Sequence, residues 1–205
     1  MKKLFFIALL LILIVSCAKE IVTRKYYMLD FSVDSLKTEM TTPKTTDALE
    51  ILPVDVTEVY AQHRIAVRKR SHEINYYQYH QWGESPDLSV ARLIKTRLQV
   101  SNLFSQVSER IWNTSPRYQL HTYVDRIEAV EGDDSLFAHV KINLELFDQV
   151  KKKFIVEHDF DRSIGYEDWD INLIAEGMSR ILASELGIFA DKIRQYLDEN
   201  QTLNQ

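Results

Sequence analysis

The chain has 205 residues, with 25 lysines and arginines against 30 aspartates and glutamates, a formal net charge of −5, 45% hydrophobic residues and a single cysteine. An acidic balance repels nucleic-acid phosphate, so no DNA or RNA partner is expected, and one cysteine excludes a disulfide framework within the chain. The length fits one domain able to bury a substantial core.

Met1-Lys2-Lys3 gives a positive start, Leu4 to Val15 are twelve uninterrupted apolar residues, and Ser16-Cys17-Ala18 form a small-residue exit. This is the layout of a secretory signal. A membrane span needs about 20 apolar residues, and here charge returns at Lys19 and Glu20. Ile14-Val15-Ser16-Cys17 resembles the bacterial lipobox, with isoleucine where leucine is usual. In that motif the cysteine thiol receives a diacylglycerol, the signal is cut before it, and the new amino terminus is acylated. One acyl chain binds membranes marginally and two or more anchor stably. An ordinary signal peptide with an incidental cysteine is the alternative. The expected organisation is a lipoprotein signal at 1–16, a lipidated tether at 17–24, a single domain at 25–200 and a tail at 201–205. Losing Lys2 and Lys3 would take the formal charge from −5 to −7. Ala18, where an aspartate would retain such lipoproteins at the inner membrane, implies by the same resemblance an anchor in the outer membrane on its periplasmic side.

Lys25 to Phe31 is aromatic and apolar, as a strand requires. The polar tract Lys37 to Asp47 is expected to be a flexible loop. Ala48 to Val56 is a second strand, in which Pro53 marks an edge or bulge because it cannot donate to a ladder. Arg64–Arg70 and Glu73–His80 flank Ser71-His72 and predict a hairpin. Ser85 before Pro86 is a helix start, the serine hydroxyl capping free amides. Val90, Leu93, Ile94 and Leu98 follow at helical spacing, and the helix should end near Asn102. "LFSQV" is a short buried strand. Tyr118–Val130 and Leu136–Val150 flank "EGDD" as a long hairpin, with a bulge near Asp125-Arg126 where the apolar phase breaks. In the second arm Val140, Ile142, Leu144 and Leu146 share a core face, leaving His139, Lys141, Asn143 and Glu145 on a wet one. Lys153–Ile164 is a third strand. Apolar residues at steps of three and four predict one long amphipathic helix from Asp168 to about Asp198, with polar tail beyond Leu197. Gly177 and Gly187 weaken that helix or let it approach a sheet closely. The fold class is therefore α+β: a mixed, mainly antiparallel sheet packed by two main helices, the C-terminal one long.

The search for chemistry is mostly negative. None of the six histidines sits in a metal-ligand spacing, and no cofactor or nucleophile motif occurs. "EHDFD" comes nearest to a constellation, yet on a strand Glu157, Asp159 and Asp161 point to one face and His158 to the other. A metal-dependent hydrolase would need these groups to meet in a cleft with help from elsewhere. Arg64, Arg68, Lys69 and Arg70 could meet acidic groups of a partner or guard a strand edge. Tyr76, Tyr77, Tyr79 and Trp82 could anchor an interface, because Tyr and Trp carry much of the energy at buried contacts. Packing under the following helix is the competing role, favoured for Trp82. Alternation puts Tyr77 and Tyr79 on one face and Tyr76 and His80 on the other. The candidate partner surface is thus Tyr77, Tyr79, Trp82, Arg68 and Arg70.

Taken together, "KYYMLDF" after the cysteine, "LEILPVDV", "RIAVRKR" and "YYQYHQWGESP" before a helix resemble the ABC-type transport auxiliary lipoprotein family, in its PqiC-like group. Tyr26, Tyr27 and Leu29 match the tyrosine-rich first strand, Pro53 and Val54 the Pro-Val strand, and Trp82, Glu84 and Pro86 the Trp-acidic-Pro helix entry. Gly83 and Ser85 depart from the commoner Trp-Ala-Glu-Pro form. "LHTYVDRIEA", "HVKINLELFD", "FDRSI" and the terminal helix match the second half. The resemblance implies an accessory component of intermembrane lipid transport, without ATP hydrolysis or cofactor of its own. It would dock a substrate-binding protein with MCE domains, either as a monomer or as a homo-oligomer. A lipid-carrying module is the second possibility, and it would need an apolar pocket between sheet and helices.

Overall fold

The computed structural model describes residues 23–31, 42–112 and 115–202. Cys17 and the signal segment lie outside the described residues, as do 37–41 of the expected loop. The elements among them run β1 (Lys25–Tyr27), β2 (Ala48–Ile51), β3 (Asp55–Val56), β4 (Arg64–Arg70), β5 (Glu73–Trp82), α1 (Pro86–Val100), β6 (Gln106–Ser108), β7 (Tyr118–Glu131), β8 (Leu136–Asp148), β9 (Lys153–Tyr166) and α2 (Ile171–Thr202). The fold is α+β, one mixed sheet with two helices.

The spine of the sheet is β7. Along one edge it pairs antiparallel with β8 over its whole length, and β8 pairs in the same way with β9. Along its other edge it is met in succession by β2, β3 and β4, all parallel to it. The stretch expected as one strand with Pro53 in it is thus two short strands. Proline has no N–H for the ladder, so pairing stops at Ile51 and resumes at Asp55, still along β7. β4 pairs antiparallel with β5, whose far edge carries β1 in parallel. The long ladders are antiparallel and the short ones parallel. The expected bulge is present as a register shift between Val124 and Arg126.

The core lies between the sheet and the helices. Val140, Ile142, Leu144 and Leu146 of β8 meet Leu120, Val124 and Ile127 of β7, and Ile174, Met178, Leu182 and Phe189 of α2 are buried with them. Gly177 permits the close approach: a Cβ there would meet the Ala138 Cβ at 2.8 Å and the Tyr166 hydroxyl at 2.8 Å.

Local chemistry sets the helix ends. Pro86 opens α1, but the Ser85 hydroxyl makes no capping bond; its carbonyl accepts from the Ser89 amide at 3.0 Å. The Ser89 hydroxyl turns to Glu84 instead. α1 ends as Asn102 takes φ of 49°, a left-handed residue just beyond the helix. Asp170 starts α2, its carboxylate accepting from the Asn172 amide at 2.9 Å. The helix then continues through the expected tail to Thr202. The part of the polar tract from Thr42 onward is tied down: the Lys44 and Thr45 amides donate to the Asn102 and Leu103 carbonyls, and Lys44 pairs with Asp198.

Candidate functional site

A groove of about 840 Å³ lies between the chain around β1 and the first half of α2. One wall is a nearly continuous run, Lys25 to Met28 with Asp30 and Phe31. The other is a single helix face that includes Ala175, Ser179 and Ala183. The strand side is held by three anchors. The Gly83 amide donates to the Tyr27 carbonyl at 2.8 Å, Arg92 of α1 donates to the Leu29 carbonyl at 2.7 Å, and the Asp30 amide donates to the Ser179 hydroxyl at 3.1 Å. Arg92 also bridges Glu84 at 3.1 Å. Leu29 is buried between these contacts, while Tyr26 is 62% and Met28 49% exposed. The strand was expected to extend to Phe31, but it ends at Tyr27 because the next residues turn into this clamp.

The candidate partner surface around β4 and β5 comes apart in three dimensions. Trp82 is only 2% exposed and belongs to the core, which removes it from any surface contact. Arg68 turns inward to Glu128. Arg70, 84% exposed at its side chain, and Tyr79, 38% exposed, remain available. Tyr77 is half-buried, its hydroxyl 3.4 Å from Glu131. The alternation expected for β5 fails because three residues of β4, Arg64 to Ala66, oppose six of β5, Gln81 back to Tyr76. The extra length brings Tyr77 edge-on to His80 at 5.7 Å. Burial lowers the His80 pKa, and its Nδ1 lies in hydrogen-bond contact with the Tyr27 hydroxyl at 2.8 Å.

Two buried charge clusters were not foreseen. Glu128 is fully buried on the sheet face away from the helices. Its carboxylate accepts from the Tyr60 hydroxyl at 2.6 Å and from Arg68 at 2.8 and 2.9 Å, with His139 Nδ1 at 3.4 Å. Burial alone would raise its pKa, but bonds from His139, Arg68 and Tyr60 hold it down to about 2. His139, expected on a wet face, is buried between Glu128 and Asp161. The bond to Glu128 raises its pKa against burial, and with a carboxylate at each ring nitrogen both nitrogens donate. The second cluster lies under α2, where His158 Nε2 donates to Glu185 at 2.8 Å and Arg162 donates to the same carboxylate at 2.7 Å. His158 stacks on Phe189. Burial lowers its pKa, so the ring is neutral.

Of the hydrolase candidates, His158 thus faces the helix, while Glu157 and Asp159 are exposed on the other side of β9. Among the described residues no group of three or more His, Cys, Asp and Glu could hold a metal ion. Nor is any described helix long and apolar enough to cross a membrane.

A model of the ABC-type transport auxiliary lipoprotein component family matches residues 27–186. The chain belongs to this family. The match to the transport auxiliary lipoproteins starts at the last residue of β1 and ends midway along α2, so it takes in the helix wall of the groove, the strand wall from Tyr27 onward and both charge clusters. Among solved structures, protein XCC0632 from Xanthomonas campestris, a DUF330 family member, is 16% identical. It covers 88% of this chain and 99% of its own, with a TM-score of 0.69. An uncharacterized protein at 14% identity covers 83% of this chain and 99% of its own, with a TM-score of 0.65. At such identities these likenesses concern the fold. No curated protein matches the chain at a significant level.

Proposed function

We propose that the chain is a periplasmic lipoprotein, anchored through Cys17 in the outer membrane, that docks an MCE-domain substrate-binding protein of an ABC system for lipid transport between membranes. Its membership of the transport auxiliary lipoproteins supports the association with a transporter. The observation that carries the docking reading is the clamp on residues 27–30. The chain arriving from Cys17 is built into α1 and α2 through Arg92 and Ser179, an arrangement suited to holding a domain in a set attitude on its anchor. Tethering raises the effective concentration of partner sites without a strong interface.

The test is co-elution of the purified lipidated protein with the MCE-domain protein of the same bacterium in detergent. A stable complex is the expected result, and separate elution at micromolar concentration would overturn the docking role. Lipid carriage is the second reading, favoured by the groove. That cavity lies at the edge of the sheet, however, while the space between sheet and helices is filled by core side chains.

A further inference from the structure

The geometry points to the groove between β1 and α2 as the seat of an extended polypeptide segment of the docked partner, which adds to the sheet as a strand beside β1. This rests on the docking role proposed above and names the surface that performs it.

The Gly83 amide donates to the Tyr27 carbonyl and Tyr27 is paired with Trp82, so the Tyr27 amide and carbonyl both face β5. Main-chain groups alternate in direction along a strand. The Tyr26 amide and carbonyl, and the Met28 amide on the far side of the peptide plane from the Tyr27 carbonyl, therefore face away from β5, along the side that has no strand partner among the described residues. Nearly every residue from Lys25 to Phe31 lines the groove, which is what a cavity running along a backbone edge produces.

Size and surface chemistry agree with that occupant. The helix wall runs from Asn172 to Ala183. At 1.5 Å per residue this is about 17 Å, the length of about five extended residues. Ala175, Ser179 and Ala183 recur along the helix face as small side chains, with Ser179 engaged by the Asp30 amide. Natural edge strands are commonly guarded by lysine, proline or inward charges. Here the positions whose main chain is open carry Tyr26 and Met28, both large, apolar and exposed. The charges at the rim, Lys25 and Arg180 against Asp30 and Glu176, balance in sign. Such a rim suits a peptide with apolar side chains at alternate positions and no strong net charge. Main-chain bonds would supply affinity, and the pockets beside Tyr26 and Met28 the selectivity.

The test uses the full lipidated chain and the purified MCE-domain protein, with amide hydrogen exchange and equilibrium binding as readouts. Proline at position 28 removes the outward amide and leaves the β1–β5 ladder intact; Met28→Ala keeps the amide and removes the side chain. The expected result is slowed exchange at the Tyr26 and Met28 amides on binding. Met28→Pro should weaken binding by about fivefold or more with the melting temperature unchanged, and by more than Met28→Ala does, since the lost main-chain bond is worth about 1 kcal/mol. Should Met28→Pro unfold the chain, a benzophenone residue at Tyr26 decides instead: its crosslink must fall on one short extended segment of the MCE-domain protein. Binding that neither protects these amides nor responds to Met28→Pro overturns the strand-addition site and leaves docking standing. Absence of binding by wild type overturns both. Phospholipid vesicles that protect the same amides, with the MCE-domain protein failing to do so, overturn it in favour of a lipid site.

Discussion

Glu128 keeps its charge in a fully buried position because Tyr60, Arg68 and His139 converge on it. Removing one partner of a buried ion pair strands the other, at a cost of about 3–5 kcal/mol. Glu128→Ala should therefore lower the unfolding free energy by about 3 kcal/mol at pH 7, read from urea denaturation. The sign of the pH dependence follows. The Glu128 carboxyl falls from its ordinary 4.5 to about 2 on folding, so its contribution is present above 4.5 and is lost as pH falls toward 2. His139 has the opposite sign: its raised pKa contributes below 6.5 and is lost as pH rises through the folded value. His158, lowered on folding, contributes above 6.5 and loses its contribution as pH falls. The two histidines thus oppose each other near neutrality, and the steep loss should lie below pH 4.5. Glu128→Gln should flatten that limb in an acid titration followed by circular dichroism. Little of this was legible in the sequence, since Arg68 stands sixty residues before Glu128 and the neighbours Ile127 and Ala129 are ordinary core positions. The one available signal was a lone carboxylate inside an apolar run.

Elements whose register is set by local pattern were legible, and those set by long-range pairing were not. The alternation from Val140 to Leu146 fixes β8, and the phase break at Asp125-Arg126 fixes the bulge of β7, because a one-residue slip would turn every core side chain outward. In β5 the sequence pattern alternates smoothly, but pairing with β4 absorbs extra residues and brings Tyr77 beside His80. The groove joins β1 to a helix almost 150 residues later, a pairing no local period encodes. α2 supplies a sharper test of packing against propensity. Alanine is favoured over glycine in a helix by about 1 kcal/mol. At Gly177 the new Cβ would collide with Ala138, fixed on β8, whereas at Gly187 the nearest atom is the movable Arg97 guanidinium at 3.1 Å. Gly177→Ala should destabilise by about 1–3 kcal/mol, as overpacked cores do, and Gly187→Ala should be neutral or stabilising by up to about 1 kcal/mol. Thermal unfolding of the two variants side by side checks the contrast.

At the scale of the whole molecule, the proposed anchor and the folding of the domain are expected to be separable. The core of the described residues is built from Leu29 to Leu197. Cys17→Ser is expected to release the chain from the membrane with its melting curve unchanged, and recovery of the variant in salt-washed membranes would refute the anchor. Cys17 and Lys25 are eight residue steps apart, a reach of at most about 28 Å, so a lipid on Cys17 would hold the domain close to the bilayer. The clamp on residues 27–30 then acquires a mechanical meaning. A pull arriving at Lys25 acts along β1, which loads its parallel ladder with β5 in shear, and beyond it meets Arg92 on Leu29 and Ser179 on Asp30. Were Cys17 lipidated as proposed, tension on the anchor would therefore pass first into β5 and the two helices.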